Sequence, residues 1–310
     1  MDLSAIYKMS RQKVFDAYQV QPDAKEVYLG NHFGNIHYLE QGTGRPLLLI
    51  HGGGNCSSEW INIMRPLSQH FRLFAMDTPG HGLNNFFNYH RVDFRNHAAR
   101  FIQEFTKALH LDKVDLVANS IGGFYGINFA LEFPQKVENL ILIGAPAGIH
   151  REVPLPLRLL GTKGINRLIM QTVAKPTLKN TAAFHQQVIM HDVKNIKDVY
   201  LEHITHHMML KGRTIRNLLE SVVNLGGWKE KNNITDNLAS LVVPVHFIWG
   251  ENDAFYPPDR GSETVSNIPN YTFKTVREAG HCPWLDQPEK CISLILAAVN
   301  RPTSIQGLKD

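Results

Sequence analysis

Three residue types that together make a hydroxyl nucleophilic occur here at strand ends, in an order worth reading first. Ser120 follows Val114-Asp-Leu-Val-Ala118, a short buried strand by its apolar run, and precedes Phe124–Phe133. In that second stretch Phe124, Ile127 and Leu131 share one helical face, and Pro134 follows the end. The chain must reverse between them within a few residues, so Ser120 needs small neighbours, and Ala118, Gly122 and Gly123 supply them. Such a turn lifts the hydroxyl clear of the sheet and leaves the Ile121 N–H at a helix N-terminus, facing any negative charge that develops there. A serine hydroxyl is a weak nucleophile until a neutral imidazole accepts its proton, and a carboxylate must hold that imidazole in the right tautomer. Of 16 histidines, His281 is the one placed on a loop after the last strand. Glu251 and Asp253 both follow the strand Val243–Trp249.

These residues need a frame. An amphipathic helix is expected over residues 1–20, with Ile6, Met9, Val14 and Tyr18 inward, packed on the body rather than on a membrane surface. Strands follow at Glu26–Leu29 and Ile36–Glu40, joined by the turn Gly30–Gly34. Leu47–Ile50 is apolar throughout, as in a strand buried on both faces. It runs into His51-Gly-Gly-Gly54, where backbone N–H groups can approach a ligand unobstructed. A helix at Ser58–His70, a strand at Phe71–Met76, a helix at 92–110 and a strand at Val137–Ile143 continue the alternation. From about Ala147 to Asn237 the rhythm stops, and helices are expected at Leu157–Met170, Ala182–His191 and Lys194–Glu220. It resumes with Val243–Trp249, a helix near Asp259–Ser266, the strand Tyr271–Val276 and a closing helix Glu289–Val299. Alternation with short connections implies a mostly parallel sheet covered on both sides. The expected organisation is an N-terminal helix (1–24), a core (25–146 and 238–310) and an inserted helical lid (147–237).

Composition narrows the class. The 310 residues are 43% hydrophobic and 19% charged, which are globular values, and a net charge of +4 without a basic block does not suggest nucleic acid. Cys56, Cys282 and Cys291 form no metal or disulfide pattern, which fits a reducing compartment. No signal segment opens the chain and no run of 18 apolar residues occurs. A cytoplasmic protein with no membrane partner, working as a monomer or homodimer on a small molecule, is the expectation. His203, His206 and His207 have a spacing that could bind zinc, but lid surface is the default for them and no metal site is expected.

From about Lys25 to Val299 the chain resembles the α/β-hydrolase-fold serine hydrolases. The order of nucleophile, acid and histidine is theirs: the acid lies 133 residues after Ser120 and the histidine 28 further on. That resemblance places the carboxylate at Asp253 and reads the turn at Ser120 as a nucleophile elbow, with Ala118 where the family usually has glycine. It implies oxyanion donors at the Gly53 and Ile121 N–H groups, Gly54 close behind, and no cofactor. Carboxylesterase-like hydrolysis is the broadest reading. Trp60, Asn62 and Asn119, with His51–Gly54, also resemble the meta-cleavage-product hydrolases, which split a carbon–carbon bond in vinylogous diketones. There the matching asparagines bind the substrate's polar end, and a lid arginine binds its carboxylate, for which Arg213 is the nearest candidate. A catalytically silent ligand-binding member of the fold is the remaining alternative. Cys282, beside the histidine, is expected to react with bulky thiol reagents.

Overall fold

A computed structural model describes residues 2–171 and 175–300, so positions 172–174 and 301–310 of the lid and core expectations lie outside the described residues. Ten strands follow in chain order: β1 (Asp23–Tyr28), β2 (Asn35–Gln41), β3 (Pro46–Ile50), β4 (Arg72–Met76), β5 (Val114–Asn119), β6 (Val137–Ile143), β7 (Val223–Asn224), β8 (Gly227–Trp228), β9 (Val245–Gly250) and β10 (Tyr271–Val276). Eight build one sheet in the order β1-β2-β4-β3-β5-β6-β9-β10, while β7 and β8 form a small hairpin. Pairing is antiparallel for β1 with β2 and for β2 with β4, and parallel for the rest.

Both faces of the central strands are buried, which is why they read as unbroken apolar runs. Leu48, Ile50, Leu116 and Ala118 pack in one core, while Leu47, Leu49, Val117 and Ile141 pack in the other. The loops that carry His51–Gly54, Ser120, Asp253 and His281 all leave the carboxyl ends of parallel strands, so topology alone gathers them at one edge.

Several sequence expectations shift. The elbow helix begins at Ile121, directly after Ser120. Residues 57–67 form a short 3₁₀ turn and then a helix, Ile61–Leu67. The long helical expectation at 157–170 breaks into Leu155–Gly161 and Ile165–Gln171, because Gly164 takes φ +92° between them. A helix at Leu178–Phe184 runs on into a π turn at His185–Ile189, and one long helix spans Asp198–Val222.

The N-terminal helix, Leu3–Ala17, buries Tyr7, Ser10, Val14 and Phe15, while Met9 is exposed. Its buried face is rotated from the expected one because a polar pair draws Ser10 inward: Ser10 Oγ lies 3.0 Å from His203 Nδ1. His203 and His207 are fully buried, against the expectation of lid surface. The His207 Nε2 accepts the Gly82 N–H at 3.1 Å, and both rings pack on Tyr7. Among the described residues no group of three or more His, Cys, Asp or Glu is placed to hold a metal ion.

Burial pushes His203 down to about 3, so the folded chain holds this imidazole neutral where the unfolded chain would protonate it. A depressed histidine contributes stability that is present above the unfolded value near ~6.5 and is lost as pH falls below it. By about pH 5 the group alone should cost about 2 kcal/mol. Thermal unfolding of wild type and His203→Gln across this range checks it. The variant should show the shallower fall, and equal slopes would contradict the assignment.

Candidate active site

The elbow is held in a conformation that side chains other than glycine rarely adopt. Ser120 has φ +52° and ψ −115°. Its carbonyl accepts N–H groups of Phe124 at 3.2 Å and Ala147 at 3.0 Å, which pins the turn from both sides. A Cβ on Gly122 would stand 2.3 Å from the Ile50 carbonyl, so the helix can cross β3 this closely only with glycine there. Ala118 stands where its methyl makes only ordinary contact with the helix, since even a Cβ added at Gly126 would be 3.6 Å away.

His281 and Asp253 meet beside this turn. His281 Nδ1 lies 3.0 Å from each Asp253 oxygen. The carboxylate is itself fixed: Ala145 N–H donates to Oδ2 at 2.9 Å and Phe255 N–H to Oδ1 at 2.9 Å. With Nδ1–H committed to the carboxylate, Nε2 carries the free lone pair, and no described group hydrogen-bonds to it. The Phe255 ring stacks on the imidazole at 3.7 Å between centroids and sets its plane. Glu251 instead meets the Glu278 N–H at the surface.

Ser120 and His281 open onto a cavity of about 530 Å³, whose walls also include Gly53, Gly54, Asn119 and Ile121. The glycine loop touches the elbow: a Cβ on Gly53 would be 2.5 Å from Ile121 Cδ1. The two candidate oxyanion donors therefore belong to abutting segments. The far walls come from 147–237. On the long helix Ile204, Met208, Ile215 and Leu219 form a stripe facing the cavity.

Asn62, Arg213 and Cys282 depart from their sequence expectations, while Asn119 keeps its place on the wall. Asn62 does not line the cavity, and its amide donates to the Trp284 carbonyl at 2.5 Å. Arg213 is exposed and lies over the Phe86 ring at 4.1 Å, because two residues of helix turn it about 200° from the Ile215 stripe. Asn119 does reach the wall, but its Nδ2 donates to the Ile143 carbonyl at 2.7 Å and the His281 carbonyl at 3.3 Å. It ties the elbow to the histidine loop. Cys282 is buried and its thiol is pushed well above the usual range by burial and by Glu59, so it is a poor target for thiol reagents.

Other residues had no signal in the sequence. Glu59, with 1% exposure, reaches the cavity wall; its Oε2 accepts the Gly52 N–H at 3.1 Å, and the Cys282 thiol is 3.8 Å from Oε1. Nothing in Ser58-Glu59-Trp60 separates a buried carboxyl from a surface one. Asp286 accepts N–H groups of Gly280 at 3.0 Å and His191 at 2.9 Å, which locks the histidine loop to the helical segment above. His150 and His185 also line the cavity, and burial lowers each to about 4, so both are neutral near pH 7.

With this geometry in place, comparison with known proteins gives the class. The model of the α/β hydrolase fold family matches residues 45–288, and the chain belongs to that family. It is similar to the 2-hydroxy-6-oxononadienedioate/2-hydroxy-6-oxononatrienedioate hydrolase of Escherichia coli (strain K12 / DH10B), at 27% identity over 86% of this chain and 91% of that protein. A carboxylesterase from Bacillus subtilis superposes with a TM-score of 0.74 at 21% identity, covering 97% of this chain and 99% of that one. The naproxen esterase of the same organism gives 0.75 at 18% identity, covering 97% and 99%. Hydrolase is the class that family and relatives define for this chain.

Burial pushes the Glu59 carboxyl up to about 8, with the Gly52 N–H and the Cys282 thiol opposing the shift. The folded chain then holds a proton that the unfolded chain releases near ~4.5, so this group's contribution to stability falls as pH rises between those values. Across that window the loss should be on the order of a few kcal/mol. Denaturant unfolding of Glu59→Gln, which keeps an acceptor for Gly52, should lack this fall. A variant that follows wild type at every pH would contradict a buried, protonated Glu59.

Proposed function

We propose that the chain is a serine hydrolase of small or medium carboxylic esters working through an acyl-enzyme. The observation that carries the reading is the Asp253–His281 pair beside the strained Ser120 turn, with Ser120 and His281 on the wall of one cavity. Ser120 Oγ attacks the ester carbonyl carbon while His281 Nε2 takes its proton. The tetrahedral oxyanion is held by the N–H groups of Gly53 and Ile121, each worth ~3–4 kcal/mol to the transition state. Collapse breaks the C–O bond, and His281 returns the proton to the departing alcohol. Water then attacks the acyl-enzyme while His281 Nε2 takes its proton, and collapse releases the acid as that proton passes to Ser120 Oγ. Asp253 orients the imidazole and steadies the imidazolium. None of these steps requires a cofactor.

Residues 147–237 are proposed as the cap that closes over this site and sets its choice of substrate. The three thiols, all free and buried, support a reducing, cytoplasmic setting. A monomer or homodimer is proposed, since every group in the reaction comes from one chain.

The similarity to the Escherichia coli enzyme favours a second reading, carbon–carbon cleavage of a vinylogous diketone acid. The charges around the cavity argue against it. Lys175 is the one described cation of the wall and it is exposed, so no buried cation stands ready to receive a substrate carboxylate. Burying a substrate carboxylate without a cationic partner costs several kcal/mol, whereas an ester brings no such charge.

Steady-state kinetics on p-nitrophenyl esters, lactones and a vinylogous diketone acid tests the choice. Esters should give the higher kcat/KM, and a diketone above every ester would promote carbon–carbon cleavage. Asp253→Asn should remain folded and lose roughly 10⁴ in kcat because the tautomer is wrong. Glu251→Gln should stay near wild type, and the reverse pattern would move the acid to Glu251.

A further inference from the structure

The chain's positive charge is not spread over its surface. From Val153 to Met190 there are five cations, Arg158, Lys163, Arg167, Lys175 and Lys179, and no Asp or Glu. That stretch carries +5 where the whole chain carries only +4, so the rest of the molecule sums to −1. The same stretch exposes large apolar side chains: Leu155 at 59%, Ile165 at 38%, Leu168 at 66% and Leu178 at 48%. Apolar and cationic residues alternate closely, as in Lys163, Ile165, Arg167 and Leu168, and again in Leu178 and Lys179. Leu155 and Lys175 are both exposed and part of the cavity wall, so this surface contains the cavity mouth. Leu225, 51% exposed at the β7–β8 turn, extends it through its carbonyl, which accepts Arg158 Nη1–H at 3.2 Å.

We propose that this face of the cap docks on an anionic lipid surface and thereby presents acyl-bearing amphiphiles to the cavity. Docking stands on charge and exposure alone, while the delivery of substrate rests on the hydrolase reading above. Exposed leucines gain from leaving water for the acyl boundary, and cations near an anionic bilayer gain about 1 kcal/mol each. A bilayer surface satisfies both at once. A second copy of this chain does not, because an isologous contact would set +5 against +5. Among the described residues no helix is long and apolar enough to cross a membrane, so the contact is peripheral. The N-terminal helix, another amphipathic element, already spends its buried face on the body.

Co-sedimentation of the full chain with phosphatidylcholine vesicles, and with vesicles that also contain phosphatidylglycerol, tests the proposal. Partition should require phosphatidylglycerol and weaken with salt. The combined change Lys163→Glu, Arg167→Glu and Lys179→Glu should lower it by at least about a hundredfold. Ile165→Ser with Leu168→Ser should lower it with all the cations still in place. None of these five residues lines the cavity, so kcat/KM on a soluble ester should hold in both variants and report an intact fold. Ser120→Ala should bind vesicles like wild type, which separates a failure of docking from a failure of the hydrolase reading. Absent partition, equal partition into both vesicle types, or partition that survives the triple reversal would overturn the proposal. So would a dimer in light scattering that the triple reversal dissolves while wild type ignores vesicles, since the face would then join copies of the chain.

Discussion

The structure depends most on the close crossing of the elbow helix over β3. Ser120 keeps φ +52° only because its surroundings leave no alternative. Strain of this kind costs on the order of 1–3 kcal/mol and persists where packing over-determines it. Gly122 lets the helix approach the Ile50 carbonyl, and the Ser120 carbonyl is bound at once by Phe124 and Ala147. Ala147 opens the helical segment, so the same contact that fixes the nucleophile's turn also anchors what lies above it. A larger residue at Gly122 would push the helix off the sheet and release the turn.

Around that crossing burial holds Glu59, His150 and His185 neutral, while Asp253 sits among hydrogen-bond donors. Glu59 is pushed up to about 8 and His150 and His185 down to about 4, all by loss of water. Asp253 differs because Ala145, Phe255 and His281 all direct N–H groups at it. One buried carboxyl of the site is thus surrounded by donors and another is not. That contrast separates a group able to steady an imidazolium from one that tethers the glycine loop as an acceptor.

Much of the frame could be read from the chain. The strand Val137–Ile143 is found at the expected residues, since a largely buried parallel strand carries a strong apolar run, and Tyr271–Val276 is found too although it lies at the sheet edge with only Val276 buried. The strand ends that carry Ser120 and Asp253 follow such buried runs, and His281 is readable from its place on the loop after the last strand. Legibility failed where tertiary contacts override pattern. Met9 and Tyr7 are both plausible inward residues, and only the Ser10–His203 contact decides between them. Asn62 and Arg213 were plausible ligand contacts by position, yet a carbonyl of Trp284 and the Phe86 ring claim them. Glu59 could not be found at all, because nothing local distinguishes a buried carboxyl.

The proposed reaction turns on Ser120 as the nucleophile. Treatment with a fluorophosphonate, followed by mass spectrometry of the intact chain and its peptides, tests it most directly. One adduct should form, on the peptide holding Ser120, and Asp253→Asn should slow its formation. An unlabelled chain, or an adduct on another residue with Ser120 unmodified, would contradict the account.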